Sequence, residues 1–100
     1  MKNKAEKVYK ILKRVPKGKV TTYKDLAKAS GLHPREIGRI LSKNPYAPKV
    51  PCHRVVRADG SIGGYTHKGR QAPGMKMRIL EEEGVKISRG RVGKDNLFKF

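Results

Sequence analysis

Twenty-five lysines and arginines stand against eight aspartates and glutamates, so this chain must fold with a formal charge of +17 on 100 residues. A domain that carries so much self-repulsion is built to meet an anion, and nucleic acid is the first partner class to consider. A lysine-rich thermophilic surface would bring a matching excess of glutamate, which is missing. An anionic membrane surface ranks third. Only 36% of the residues are hydrophobic and tryptophan is absent, so leucine, isoleucine and valine must pack a small core. A core of that size serves one domain, expected over 1–100 with 85–100 as a basic C-terminal tail. No apolar run approaches a membrane span or a signal-peptide core, and the start, MKNKAEK, is charged. The expected setting is intracellular, in cytoplasm or nucleoid or in a eukaryotic nucleus, with no membrane partner.

From Ala5 to Val15 the apolar positions Ala5, Val8, Ile11, Leu12 and Val15 recur at spacings of three and four, one buried stripe of a helix ended by Pro16-Lys17-Gly18. Thr21 or Thr22 can cap a second helix through Tyr23, Leu26 and Ala27, stopped at Ser30-Gly31. Pro34 suits the first turn of a third helix, Arg35 to about Lys43. There Ile37, Ile40 and Leu41 face inward, and Arg35, Gly38, Arg39 and Ser42 share the other face. Two helices joined by a glycine-containing turn, the second with a basic outer face, read as a helix-turn-helix. Asn44 to Pro51 carries three prolines in eight residues and is expected as an ordered, non-helical connector. Val55 to Arg57 reads as a short extended piece, Asp59-Gly60 as a turn, and Ile62 to Arg70 as a loop. A last helix from about Met75 to Glu83 uses Met75, Ile79 and Leu80 as its apolar side and ends at Gly84. The tail has weak periodicity: it pairs as strands, adds phosphate contacts, or is disordered. There is no internal repeat.

One cysteine excludes an intrachain disulfide, so Cys52 is a packing residue, an accident, or a working thiol. Pro51-Cys52-His53-Arg54 sets a thiol, an imidazole and a guanidinium on consecutive residues, and nearby positive charge favours the thiolate. Adjacent side chains on a regular strand point to opposite faces, so Cys52 and His53 cooperate only if Pro51 begins a turn or a tight helical start. The pair alone leaves a buried structural cysteine as the better reading. A metal site is not expected with one thiol and three scattered histidines.

A pattern spread over most of the chain overturns that reading. Val15-Pro16-Lys17-Gly18-Lys19-Val20-Thr21-Thr22-Tyr23, Asn44-Pro45, Pro51-Cys52-His53-Arg54-Val55-Val56, Gly63-Gly64-Tyr65 and Glu83-Gly84 occur in this order. From Ala5 to Gly84 the chain resembles the catalytic domain of the O6-alkylguanine-DNA alkyltransferases. The expected fold is therefore mainly α, a winged helix-turn-helix-like DNA-binding and catalytic domain with a few short strands. The resemblance implies that Cys52 takes the alkyl group from O6 of guanine by in-line displacement, leaving a stable thioether and needing no cofactor. His53 would act as base through a water, Glu83 would orient His53, and Asn44 would brace the turn that carries the cysteine. Glu81 and Glu82 adjoin Glu83; the following Gly84 favours Glu83. Tyr23 would give a proton toward N3 of the leaving guanine, while backbone groups at Val50, Cys52, Val55 and Thr66 read the base edges and Tyr65 walls the pocket.

An alkyl carbon inside a duplex is out of reach of such a thiol, so the nucleotide must rotate out of the stack. By resemblance Arg35 fills the gap, and the third helix enters the minor groove with Gly38, Arg39 and Ser42 along it; Arg54 is counted with these DNA-binding residues. Arg39 stands where the family usually has a small residue. Longer members carry a domain before the catalytic one, so this is expected to be a minimal version or a fragment. The expected partner is double-stranded DNA containing O6-alkylguanine, met by a monomer. Two rivals remain. One is a non-catalytic alkylated-DNA-binding protein, as in relatives that lack the cysteine. The other is a helix-turn-helix regulator, which would need a dimerisation surface for paired half-sites that nothing here resembles.

Overall fold

The computed structural model describes residues 4–44, 49–64, 66–67 and 70–100. The first helix, α1, spans Lys4–Leu12. It stops three residues before the predicted Val15 because the residue ahead of Pro16 is steered away from helical dihedrals. The chain tightens instead into i→i+3 turns, with Arg14 and Val15 donating to the carbonyls of Ile11 and Leu12. Val15 is nonetheless fully buried.

Thr21–Thr22 forms a two-residue strand, β1, and leads straight into α2, Tyr23–Ser30. Of the two candidate caps it is Thr22 that accepts from the Asp25 amide, at 3.0 Å. Gly31 closes the helix in the left-handed conformation at φ +74°, where a side chain would be strained. The third helix, α3, covers Pro34–Ser42. His33 caps it, its Nδ1 accepting from the Arg35 amide at 3.1 Å while Glu36 reaches back to the His33 amide. Ile37 and Leu41 are buried and Ile40 is half-buried, as the spacing predicts. The α1, α2 and α3 helices pack around one apolar cluster that includes Val8, Leu12, Leu26, Ile37 and Cys52. The pair α2–α3, joined at Gly31-Leu32-His33, is the helix-turn-helix.

Cys52–Arg54 forms one 3₁₀ turn, and Val55–Val56 follows as β2. This strand pairs in parallel with β1, Thr21 opposite Val55 and Thr22 opposite Val56. The pairing sets Tyr23, first residue of α2, beside the segment that carries the cysteine. In the predicted loop Ile62 to Arg70, Thr66–His67 (β3) pairs antiparallel with Arg70–Gln71 (β4), a hairpin too short to show alternation in sequence. The last helix, α4, runs Pro73–Glu82, and Gly84 ends it at φ +93°. Leu80 is buried and Ile79 packs against the core as predicted, but Met75 is not part of that face. Met75 is exposed, whereas Lys76 and Leu80, four residues apart, are wholly buried.

The tail is folded. Ile87–Ser88 (β5) and Arg91–Val92 (β6) make an antiparallel hairpin, and Val85 and Val92 join a second cluster with Val20, Val56, Ile62 and Leu80. Beyond it, Val20 exchanges backbone hydrogen bonds with Asn96 and Phe98, at 2.8 and 2.7 Å. Phe100 packs edge-on to Phe98 and lies under the Arg14 guanidinium. Among the described residues no helix is long and apolar enough to cross a membrane.

Candidate active site and nucleic-acid interface

The 3₁₀ turn solves the geometric problem set by adjacent thiol and imidazole: a strand would oppose them, whereas here both side chains point inward and are buried. Two bonds brace the turn. The carbonyl of Val50 accepts from the Cys52 amide at 2.8 Å and from Asn44 Nδ2 at 3.0 Å. Both lone pairs of that carbonyl are thereby engaged in supporting the cysteine turn.

Helix α4 packs on this turn and delivers Glu83 to it. Nε2 of His53 lies 3.1 Å from each carboxylate oxygen of Glu83. Burial would raise the Glu83 pKa, but the hydrogen bonds from Arg54 and His53 outweigh it and hold the carboxyl below its ordinary range. His53 moves down as well, because burial disfavours imidazolium more than Glu83 favours it. A neutral imidazole facing a carboxylate carries its proton on Nε2, so its lone pair sits on Nδ1. That Nδ1 is buried and has no hydrogen-bond partner among the described residues. The ring is thus an oriented, unoccupied base one residue from the thiol.

Arg54 turns toward Glu83. Its Nε and Nη2 grip Glu83 at 3.0 and 2.7 Å, and Nη1 donates to the Val15 carbonyl at 2.9 Å. Three of its five N–H donors are so engaged, and Arg54 holds the carboxylate that holds the histidine. The sequence shows an arginine beside a nucleophile and cannot show that its fork turns inward. Of the three consecutive glutamates, Glu83 makes these bonds because it caps α4 rather than extending it. A cleft of about 460 Å³ lined by Lys17, His53, Arg54, Ile79, Glu82 and Glu83 opens behind the relay.

On the other side of Cys52 stand Tyr23 and Lys76. Burial chiefly, and Cys52 next, push the Tyr23 hydroxyl above its ordinary pKa against the pull of Arg57, so it keeps its proton. The Lys76 ammonium donates to the carbonyls of Val55, Ile62 and Gly64 and lies 6.0 Å from the Tyr23 ring centroid. Desolvation lowers its pKa to about 8, and it interacts electrostatically with Cys52. Lys76 is the site residue that sequence reasoning missed. Its signal was a lysine four residues before Leu80 on the helix face that must be buried. Gly63, at φ +74°, lies against both Tyr23 and Arg57, where a Cβ would meet the ring at 3.7 Å. The backbone of Thr66 is in β3; Tyr65 lies outside the described residues.

The α3 residues fall apart from this cluster. Arg35, Arg39 and Ser42 are exposed and Gly38 is half-buried. Ser42 turns its hydroxyl back to the Arg39 carbonyl at 2.8 Å, and a Cβ on Gly38 would meet nothing within 4 Å. Among the described residues no group of three histidine, cysteine or carboxylate side chains could hold a metal ion.

A helix-turn-helix with a basic outer face, joined to a buried thiol next to a histidine–carboxylate pair, defines the class of domain. Comparison with known proteins gives the family. Residues 3–85 match the model described as 6-O-methylguanine DNA methyltransferase, DNA binding domain, and the chain belongs to that family. A methylated-DNA–protein-cysteine methyltransferase of Saccharolobus islandicus is 48% identical over 80 residues, 80% of this chain and 50% of that protein. The chain thus spans about half the length of the curated relatives it matches. The crystal structure of the O6-methylguanine-DNA methyltransferase of Pyrococcus kodakaraensis superposes with a TM-score of 0.75 at 45% identity, over 85% of this chain and 48% of that one. Schizosaccharomyces pombe Atl1, solved with damaged DNA containing O6-carboxymethylguanine, matches at TM-score 0.82 and 27% identity over 100% of both chains.

Proposed function

We propose that this protein repairs duplex DNA by moving an alkyl group from O6 of guanine to Sγ of Cys52 in one irreversible turnover. The observation that carries this is the unpartnered Nδ1 of His53, fixed by Glu83 one residue from a buried thiol. Through an intervening water, His53 takes the thiol proton. The sulfur then bonds to the alkyl carbon as the carbon–O6 bond breaks, and the electron pair leaves onto guanine. Tyr23, which holds its proton, gives it toward N3 and neutralises the leaving base. The products are guanine and a thioether on Cys52, with no cofactor consumed.

Asn44 braces the nucleophile's turn, and Val55, Thr66 and Tyr65 border the base. Arg35, at the exposed start of α3, fills the stack when the nucleotide rotates out, with Gly38, Arg39 and Ser42 along the groove. Residues 1–100 act as one unit, tail included, and as a monomer.

The test is intact mass after mixing with a duplex containing O6-methylguanine. A gain of one methylene on the Cys52 peptide is expected, and Cys52→Ala should bind the lesion without gaining mass. Indifference of the wild type to the lesion would overturn the proposal. One observation favours a second reading, recognition without repair: the end-to-end likeness to Atl1 in its complex with damaged DNA. Tight lesion binding by the wild type with no mass gain would select it.

A further inference from the structure

The β5–β6 hairpin lies beyond the family match, which ends at residue 85. Its two-residue turn, Arg89-Gly90, has φ +53° and +74°, the type I′ geometry. Asparagine, aspartate or glycine normally stands first in such a turn. Arg89 is the one non-glycine residue at positive φ among the described residues, in a conformation that costs a side chain about 1–2 kcal/mol. Strain of this kind persists where the side chain has a use.

The hairpin is fastened to the wall of the cysteine site. Gly90 accepts from the Ile62 amide at 3.1 Å, and Val92 donates to Gly60 at 2.8 Å. Contact at Gly60 is close enough that a Cβ there would strike the Val92 carbonyl at 2.7 Å. The wall segment runs on through Ile62 and Gly64, held by Lys76, to Gly63, which touches Tyr23 and Arg57. Arg91 is exposed, its guanidinium 3.9 Å from the Asp59 carboxylate. Arg57, Arg89 and Arg91, all exposed, therefore outnumber the Asp59 carboxylate on this hairpin and the segment it is tied to.

We propose that this hairpin is a wing that grips the phosphodiester backbone beside the extruded nucleotide, through Arg89 and Arg91, with Arg57 on the segment it is tied to. The inference rests on the reading that the Cys52 site receives a base from duplex DNA. A nucleotide rotated into that site stays linked to its two phosphates, and the hairpin is tied through Gly60 and Ile62 to the segment whose Gly63 faces Tyr23. Backbone contacts of this kind fix register and carry no sequence information, as a scanning repair protein requires.

The test uses the double variant Arg89→Asn and Arg91→Gln. Asparagine suits the first position of a type I′ turn, so the fold should be kept and the melting temperature unchanged or higher. Duplex affinity would be measured across salt concentrations for the wild type, this variant, and Lys10→Gln with Lys13→Gln at the end of α1, which removes the same charge elsewhere. Loss of two phosphate contacts should reduce the slope of log affinity against log salt by about 1.8. The α1 pair should reduce it by less than half as much. An unchanged slope in the hairpin variant, or an equal loss in the α1 pair, overturns the wing. If the wild type shows no salt-dependent duplex binding, it is the DNA-repair reading that fails.

Discussion

The relay around Cys52 and the outer face of α3 are built on opposite principles. Around Cys52 the polar side chains tie to one another: Glu83 accepts from His53 and Arg54, Arg54 also ties to Val15, and among the described residues Nδ1 of His53 is buried without a hydrogen-bond partner. On α3 the side chains of Arg35 and Arg39 project into solvent, and Gly38 offers empty space. A buried, mutually bonded network fixes one geometry, as the proposed proton transfer needs. An exposed face keeps its donors for a partner from outside. Substitutions should therefore injure chemistry and stability at the first region and only DNA engagement at the second.

The largest effect is expected within the relay. His53→Ala and Glu83→Gln should each slow single-turnover transfer by about 10²–10⁴-fold, and the double variant should be little worse than the worse single. Raising the pH should partly rescue both, since hydroxide supplies the thiolate that the relay no longer does. Tyr23→Phe, which acts on the leaving base, should not be rescued. If Glu82→Gln is slow while Glu83→Gln is fast, the relay has been assigned to the wrong carboxylate.

Arg54 tests the border between the regions, because the sequence places it with the DNA contacts and the structure with the relay. Arg54→Met leaves Glu83 buried without its fork. The variant should lose about 3 kcal/mol of stability by denaturant unfolding. Its salt dependence of duplex binding should match the wild type; a reduced slope would return Arg54 to the interface.

On α3 the effects are smaller and selective. Arg35→Ala should slow repair of duplex DNA well beyond any effect on transfer from the free alkylated base, since only the duplex requires extrusion. Equal slowing of both reactions would remove the finger role. Gly38→Ala should be the mildest. Replacing a mid-helix glycine adds about 0.5–1 kcal/mol of stability, and nothing within the protein opposes the methyl. A fall in duplex affinity with this rise in melting temperature would mark the helix face as a close-contact surface. Unchanged affinity would place the groove elsewhere.

The sequence by itself determined whatever rests on local rules. Thr22 and Gly31 bound α2, Pro34 opens α3, and Gly84 stops α4, because caps and left-handed turns act through neighbours in the chain. The family resemblance carried by the order of motifs singled out Cys52, His53, Glu83, Asn44 and Tyr23, and in the structure Glu83 meets His53 and Asn44 ties to Val50 beside the cysteine turn. Tertiary structure decided where the chain's charges go. Arg54 turns inward because Glu83 and the Val15 carbonyl, 29 and 39 residues away, need its donors. Lys76 is buried because three carbonyls converge on it. The tail folds because Val85 and Val92 find Val20, Val56 and Leu80, contacts that two-residue strands do not announce by periodicity. A burial pattern repeats along the chain and can be read from it, whereas a partner for a lone charge is a long-range coincidence that exists only once the chain has closed on itself.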